Sequence, residues 1–126
     1  MTDFLFVGLG GFIGSCLRFS FSKWEARLAL TLPLATFAAN VLAGILIGFV
    51  IGLEKEMGLD ARARAFLTAG LAGGLSTFSA FSLETVKLWQ AGSGLLAAGN
   101  VIFNLGFSLG GVLLGLTLAK ALTARA

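Results

Sequence analysis

Charged residues interrupt this sequence so rarely that four long runs carry none: Phe4 to Leu17, Leu28 to Leu53, Ala65 to Leu83 and Leu88 to Ala119. A hydrocarbon core of about 30 Å is crossed by about 20 helical residues. The last three runs suffice by themselves, and the first suffices if it continues past Arg18. The runs are continuously apolar and lack the alternation of barrel strands, and in lipid a spanning backbone must satisfy its own hydrogen bonds. The predicted fold is therefore all-α, a polytopic membrane protein with transmembrane helices over about residues 3–22, 33–53, 63–88 and 94–120.

Composition enters as an exclusion. With 57% hydrophobic and 12% charged residues in 126, a soluble domain of this size is ruled out. Residues 1–126 read as a single four-helix transmembrane domain, and the connections near 23–31, 54–64 and 87–93 leave no room for an extramembrane catalytic module. The first run lacks the charged n-region of a signal peptide, having only Asp3 before it, and Arg18 interrupts its end, so it reads as a retained helix. Cys16 is the single cysteine, so neither an intramolecular disulfide nor a cysteine metal site is available, and it reads as a small packing residue. The net charge of +3 suits anchoring to acidic lipid; basic runs as short as Arg62-Ala63-Arg64 do not make a nucleic-acid site.

Four crossings put both termini and the loop between helices two and three on one side, with Lys55, Arg62, Arg64, Lys120 and Arg125. The other side has Lys23, Arg27 and Lys87, joined by Arg18 if its side chain snorkels. Orientation follows the Lys and Arg bias of short loops, and this bias is slight, so insertion in both orientations is permitted. Glycines four apart, such as Gly10 and Gly14, Gly44 and Gly48, Gly70 and Gly74, or Gly106 and Gly110, allow close helix approach. They serve either packing within one subunit or dimerisation. If both orientations coexist, the natural closed assembly is an antiparallel, dual-topology homodimer.

Polar residues at membrane depth must find a partner, a cavity or an ion. Asn100, Asn104 and Ser108 fall at i, i+4 and i+8, on one stripe of helix four, where they act as interhelical glue or as a hydrophilic pathway. Helix three contains Gly73-Gly74-Leu75-Ser76-Thr77, a poor stretch for a continuous helix, and a break is predicted there. Freed carbonyls at such a break can coordinate a sodium-sized cation, shared by both subunits if two breaks meet at a dimer axis. Phe78 and Phe81 then fall on neighbouring parts of one face. They are either core or lipid-facing phenylalanines or pore rings whose electropositive edges attract an anion beside the hydroxyls of Ser79 and Ser82. Glu84 and Arg18 flank the ends of such a path or simply serve the interface and the helix dipoles.

Taken together, the strings Gly10 to Arg18, Asn40 to Gly44 and Gly73 to Ser82, with the polar stripe of helix four, resemble the Fluc fluoride channels, also called CrcB-type proteins. The helix-three string carries most of the resemblance, which covers all four helices. It implies an antiparallel dual-topology homodimer in the plasma (inner) membrane of a bacterium, with two fluoride pores and a central structural Na+. It further implies that Phe78 and Phe81 line the pores and that Asn40 donates to fluoride. By the same resemblance, carbonyls of Gly73 and Ser76 hold the sodium, Arg18 lies near an entrance, and Glu84 shares a polar track with Ser108. Ala80 stands where the family often has threonine, and Asn100 and Asn104 stand where tyrosine and serine are common.

The expected function is passive electrodiffusion of fluoride, since no nucleotide-binding loop supplies energy. A small multidrug-type exporter, which would share four short helices and dual topology, calls for an acidic residue within helix one, where this chain has Arg18. An accessory subunit would carry no ion at all. An intramembrane enzyme is disfavoured by the absence of histidine, the lone cysteine and the few carboxylates.

Overall fold

In the computed structural model, which describes residues 1–125, the chain forms helix one (Thr2–Leu28), helix two (Leu34–Met57), a composite third span (Ala61–Gln90) and helix four (Gly94–Thr123). All four are long and apolar enough to cross a membrane, and among the described residues there is no strand. The fold is all-α and polytopic.

The polar punctuation of the sequence sets the helix ends. Gly58 and Gly92 take positive φ, 73° and 78°, a conformation glycine adopts without a Cβ penalty. Gly58 sends its N–H back to the Glu54 carbonyl (3.0 Å) to close helix two. Asp60 then opens the third span by accepting from the N–H groups of Arg62 (3.0 Å) and Ala63 (3.3 Å). Helix one runs past residue 22 to Leu28 and takes up Lys23, Glu25 and Arg27, which the sequence places in a loop. The charged residues form its last turns outside the apolar stretch, and Glu25 accepts from the Ala35 N–H at 2.8 Å. That carboxylate supplies helix two with a cap that Pro33, at the N-cap position, lacks.

Packing is organised in two pairs, helix two with helix four and helix one with the third span. Glycine is what permits both. A Cβ on Gly48 would enter the Val112 carbonyl, and one on Gly115 would enter the Ile45 carbonyl. A Cβ on Gly14 would likewise strike the Leu71 carbonyl, and one on Gly70 would lie 2.8 Å from the Val7 carbonyl. Lipid provides no hydrophobic drive between helices, so close backbone contact of this kind is the main source of cohesion. These glycines therefore serve packing inside the subunit, whereas Gly106 and Gly110 have open space where a Cβ would stand. The buried centre is made of small side chains, Ala39, Ala43 and Ala72, with Leu75. Phe4, Phe12, Ile102, Leu109 and Leu113 point outward. Exposed Trp24 and Trp89 lie at the same end of the bundle as Lys23 and Lys87, an aromatic girdle at one membrane face.

The third span is irregular over much of its length. Ala61–Ala65 is α-helical, Phe66–Ala72 is π-helical, Gly73–Leu75 returns to α, and Phe78–Gln90 forms a separate helix. Ser76 (φ −75°, ψ 154°) and Thr77 (φ −154°, ψ 118°) are extended. The break thus falls inside the expected 73–77 window but not at the glycines, because Gly73 and Gly74 are helical. Gly74 is small because the Gly11 backbone crosses there, with its carbonyl 2.5 Å from where a Cβ would sit.

Candidate functional site

Extended backbone at membrane depth leaves peptide groups without helical partners, and the side chains around the break supply them. Thr77 N–H, which a continuous helix would send to the Gly73 carbonyl, donates to Asn40 Oδ1 at 2.7 Å. Asn40 Nδ2 donates in return to the Thr77 carbonyl at 3.3 Å, and its other hydrogen goes to Asn104 Oδ1 at 2.9 Å. One amide from helix two thereby pairs with both the N–H and the carbonyl of Thr77. The Thr77 hydroxyl accepts from Ala80 N–H at 3.2 Å and caps the helix that follows. On the other side of the break, Arg18 Nε donates to the Gly74 carbonyl at 3.2 Å, placing a cation at the carbonyl end of a helical segment.

Next to the break lies a groove of about 310 Å³, open along one side of the subunit. Asn40, Ser76, Phe78, Phe81, Asn104 and Ser108 all line it, and no ionisable side chain does. Phe81 is 7% exposed and Phe78 76% exposed, with ring centroids 5.6 Å apart. One ring is fixed in the wall and the other projects from it. Asn104 is 3% exposed. Ser20, Ser82, Thr85 and Thr117 all donate to the carbonyl one turn back, the usual resort of a hydroxyl in a membrane helix. The Ser108 hydroxyl is buried and has no partner among the described residues. A buried hydroxyl and a buried amide, beside two aromatic rings in an uncharged groove, are suited to a small anion that must be held weakly enough to leave.

Not every residue singled out in the sequence reaches this groove. Ser79 pairs with the Thr77 hydroxyl at 3.1 Å, and Ser82 turns its hydrogen to its own helix, the Phe78 carbonyl at 2.8 Å. Glu84 accepts from the Thr36 hydroxyl at 2.6 Å and has its second oxygen buried without a partner. It borders a different cavity, of about 280 Å³, shared with Glu25, Thr31 and Lys87. Thr36, Asn40 and Gly44 mark one stripe of helix two, and Ser108 packs at Gly44, so Glu84 and Ser108 lie roughly 12 Å apart along it. Asn40 sits midway between them.

Thr36 and Thr85 were not evident as site residues in the sequence. Thr36 stands four before Asn40, and Thr85 four after Phe81, so helical spacing from the marked residues was the available signal. Thr85 Oγ1 accepts from Asn100 Nδ2 at 2.9 Å, and Asn100 Oδ1 accepts from Asn104 Nδ2 at 3.5 Å. The helix-four stripe is therefore both glue and groove lining: Asn100 binds the third span, while Asn104 and Ser108 face the groove.

The residues at the break also fit an alkali cation. Gly73 loses the N–H that would occupy its carbonyl, Ser76 is extended, and peptide oxygens are the hard neutral donors such an ion takes.

The chain is similar over most of its length to known proteins. A family model described as CrcB-like protein, Camphor Resistance (CrcB), matches residues 5–116. A protein of Clostridium perfringens named fluoride-specific ion channel FluC is 42% identical over 120 residues, 94% of each chain. A protein of the same name from Thermus thermophilus is 38% identical over 122 residues, 89% of this chain and 96% of its own. Another, from Paraburkholderia xenovorans, is 41% identical over 120 residues, 94% of this chain and 95% of its own.

Proposed function

The chain belongs to the CrcB-like family, and we propose that it is a fluoride-selective ion channel that releases cytoplasmic fluoride by passive electrodiffusion. The observation that carries this reading is the Ser108 hydroxyl, buried without an acceptor in a groove shared with Asn104, Phe78 and Phe81. In lipid such a donor calls for an acceptor, and a small anion is one. Fluoride is tightly hydrated, so its path must return much of that solvation through hydroxyl, amide and ring-edge donors. Here Asn104 and Ser108 contribute hydrogen bonds and the two rings contribute their edges. Asn40 acts chiefly on the backbone, since both its amide hydrogens are engaged at Thr77 and Asn104; it gives the groove its shape and the Asn104 amide its orientation.

The channel works as an antiparallel, dual-topology homodimer in the bacterial plasma (inner) membrane. Support comes from the small difference in cations between the two faces, five against three, from the groove open along one side of the subunit, and from the exposed Phe78 ring, which a second copy would enclose. Two grooves then make two pores. A sodium ion at the centre would be held by the Gly73 and Ser76 carbonyls of both copies, and when bound it supplies positive charge that offsets the facing carbonyl dipoles. Arg18, fixed to the Gly74 carbonyl, stiffens the same junction. Glu84, with Thr36, orders the outer end of the span toward the cavity that holds Lys87.

Growth of a bacterium without its own fluoride exporters, in fluoride-containing medium, tests the reading. Expression of this chain is expected to restore growth, and Phe81→Ile, at equal membrane abundance and dimer content, is expected not to. Full rescue by the Phe81→Ile chain would remove that ring from the mechanism.

A further inference from the structure

Resting on the fluoride-channel reading, we propose that Thr85, acting through Asn100, is a positioning residue that holds the Asn104 amide with its second N–H free for the anion. The hydrogen bonds run in one direction from end to end. At one end Thr77 N–H can only donate, which fixes Asn40 Oδ1 toward it and turns Asn40 Nδ2 to Asn104 Oδ1. Asn104 Nδ2 must then point to Asn100 Oδ1, and Asn100 Nδ2 to the Thr85 hydroxyl. At the other end the Phe81 carbonyl can only accept, and it takes the Thr85 hydrogen at 2.8 Å. Turning any one amide over would set two N–H groups, or two oxygens, against each other.

The consequence is specific to Asn104. Its oxygen is occupied by Asn40 and one of its amide hydrogens by Asn100; the second hydrogen has no acceptor among the described residues, and the residue lines the groove with Ser108 one turn on. Asn100 itself borders a separate cavity whose other lining residues, Leu34, Phe37, Leu96 and Phe103 among them, are all apolar. A polar side chain there is explained by the amide turning away to Thr85. Thr85 lines neither that cavity nor the groove, so it cannot touch the anion and acts only through its two partners. Its bond to the Phe81 carbonyl ties the same element to the ring that forms the groove wall. A donor held rigidly favours an anion of fixed size over a larger one, so the relay bears on selectivity as well as rate.

The test uses the full-length protein in liposomes, with fluoride and chloride release measured for Thr85→Val, Asn100→Leu, the double substitution and Thr85→Ser. Val keeps the shape of Thr85 without its hydroxyl, and each single substitution is expected to slow fluoride release about tenfold, the consequence of one unsatisfied buried amide at the site. The fluoride-to-chloride ratio is expected to fall with it, and Thr85→Ser is expected to restore both. Because the two residues act as one unit, the double substitution should be no slower than the slower single one. Thr85→Val at the unsubstituted rate and ratio, or losses that multiply in the double, would overturn the proposal. Should the valine chain fail to assemble, Asn100→Leu carries the same comparison.

A second readout is independent of transport. The Asn104 side-chain amide resonances of isotope-labelled protein in detergent are expected to shift or broaden in Thr85→Val and to return in Thr85→Ser. Unchanged resonances would overturn the relay even in a working channel. Absence of fluoride release from the unsubstituted protein would instead sink the channel reading and leave the relay to be judged by the amide signals.

Discussion

Asn40 shows how much one side chain can settle in a membrane protein. An extended stretch at mid-membrane has no water to complete its hydrogen bonds, and a single carboxamide offers the donor and the acceptor that Thr77 lacks. Asn40→Ala removes both, at about 1–3 kcal/mol for each buried peptide group left unpaired. We expect the substituted protein to unfold at markedly lower temperature in detergent and to lose fluoride flux; flux and stability like those of the parent would show that the break holds itself together. Ser108→Ala behaves differently, since the hydroxyl has no partner inside the subunit. Removing it is expected to leave stability unchanged or raise it slightly, while fluoride release slows about tenfold or more. A thermal shift assay paired with efflux separates the two outcomes.

At the scale of elements, glycine and threonine explain both what could be foreseen and what could not. Gly48→Ala drives a methyl group into the Val112 backbone, whereas Gly110→Ala meets nothing inside the subunit. The first is expected to prevent folding, and the second to leave the monomer folded, as judged by retained helical circular dichroism in detergent. Ala29 ends helix one in the left-handed region at φ 49°, so Ala29→Gly is expected to stabilise by roughly 0.5–1 kcal/mol. An unchanged or lowered melting temperature would contradict this.

The four spans were legible because long uncharged runs have one structural solution in lipid, and the broken third helix because Gly73-Gly74-Leu75-Ser76-Thr77 suits a continuous helix poorly. The place of the break was legible only in part. Gly73 and Gly74 read as helix breakers, yet Gly74 is a packing glycine set against Gly11, and the extended residues are Ser76 and Thr77. A glycine required for close approach looks, in one sequence, like a glycine required for an unusual φ. The π-helical stretch Phe66–Ala72 has no signature in its own residues; it lies where the backbone at Gly70 and Leu71 packs against Gly10 and Gly14. Thr36 and Thr85 stayed hidden since a threonine in a membrane helix ordinarily bonds its own backbone; Thr85 does that and accepts from Asn100 as well.

For the whole molecule, the inverted second copy proposed above predicts that the chain inserts in both orientations. In a Cys16→Ser background, a cysteine at Gln90, at the end of the third span, should be labelled from outside the cell in about half of the molecules, as expected for two equally populated topologies. Labelling from one side only would rule out dual insertion. Selective passage of fluoride can be measured more directly. Purified protein in liposomes loaded with equimolar fluoride and chloride is opened to an outward gradient with a potassium ionophore present, and ion-selective electrodes follow both anions. Rapid release of fluoride while chloride stays inside is the predicted result. Release of both at similar rates, or of neither from a demonstrably folded protein, would contradict it.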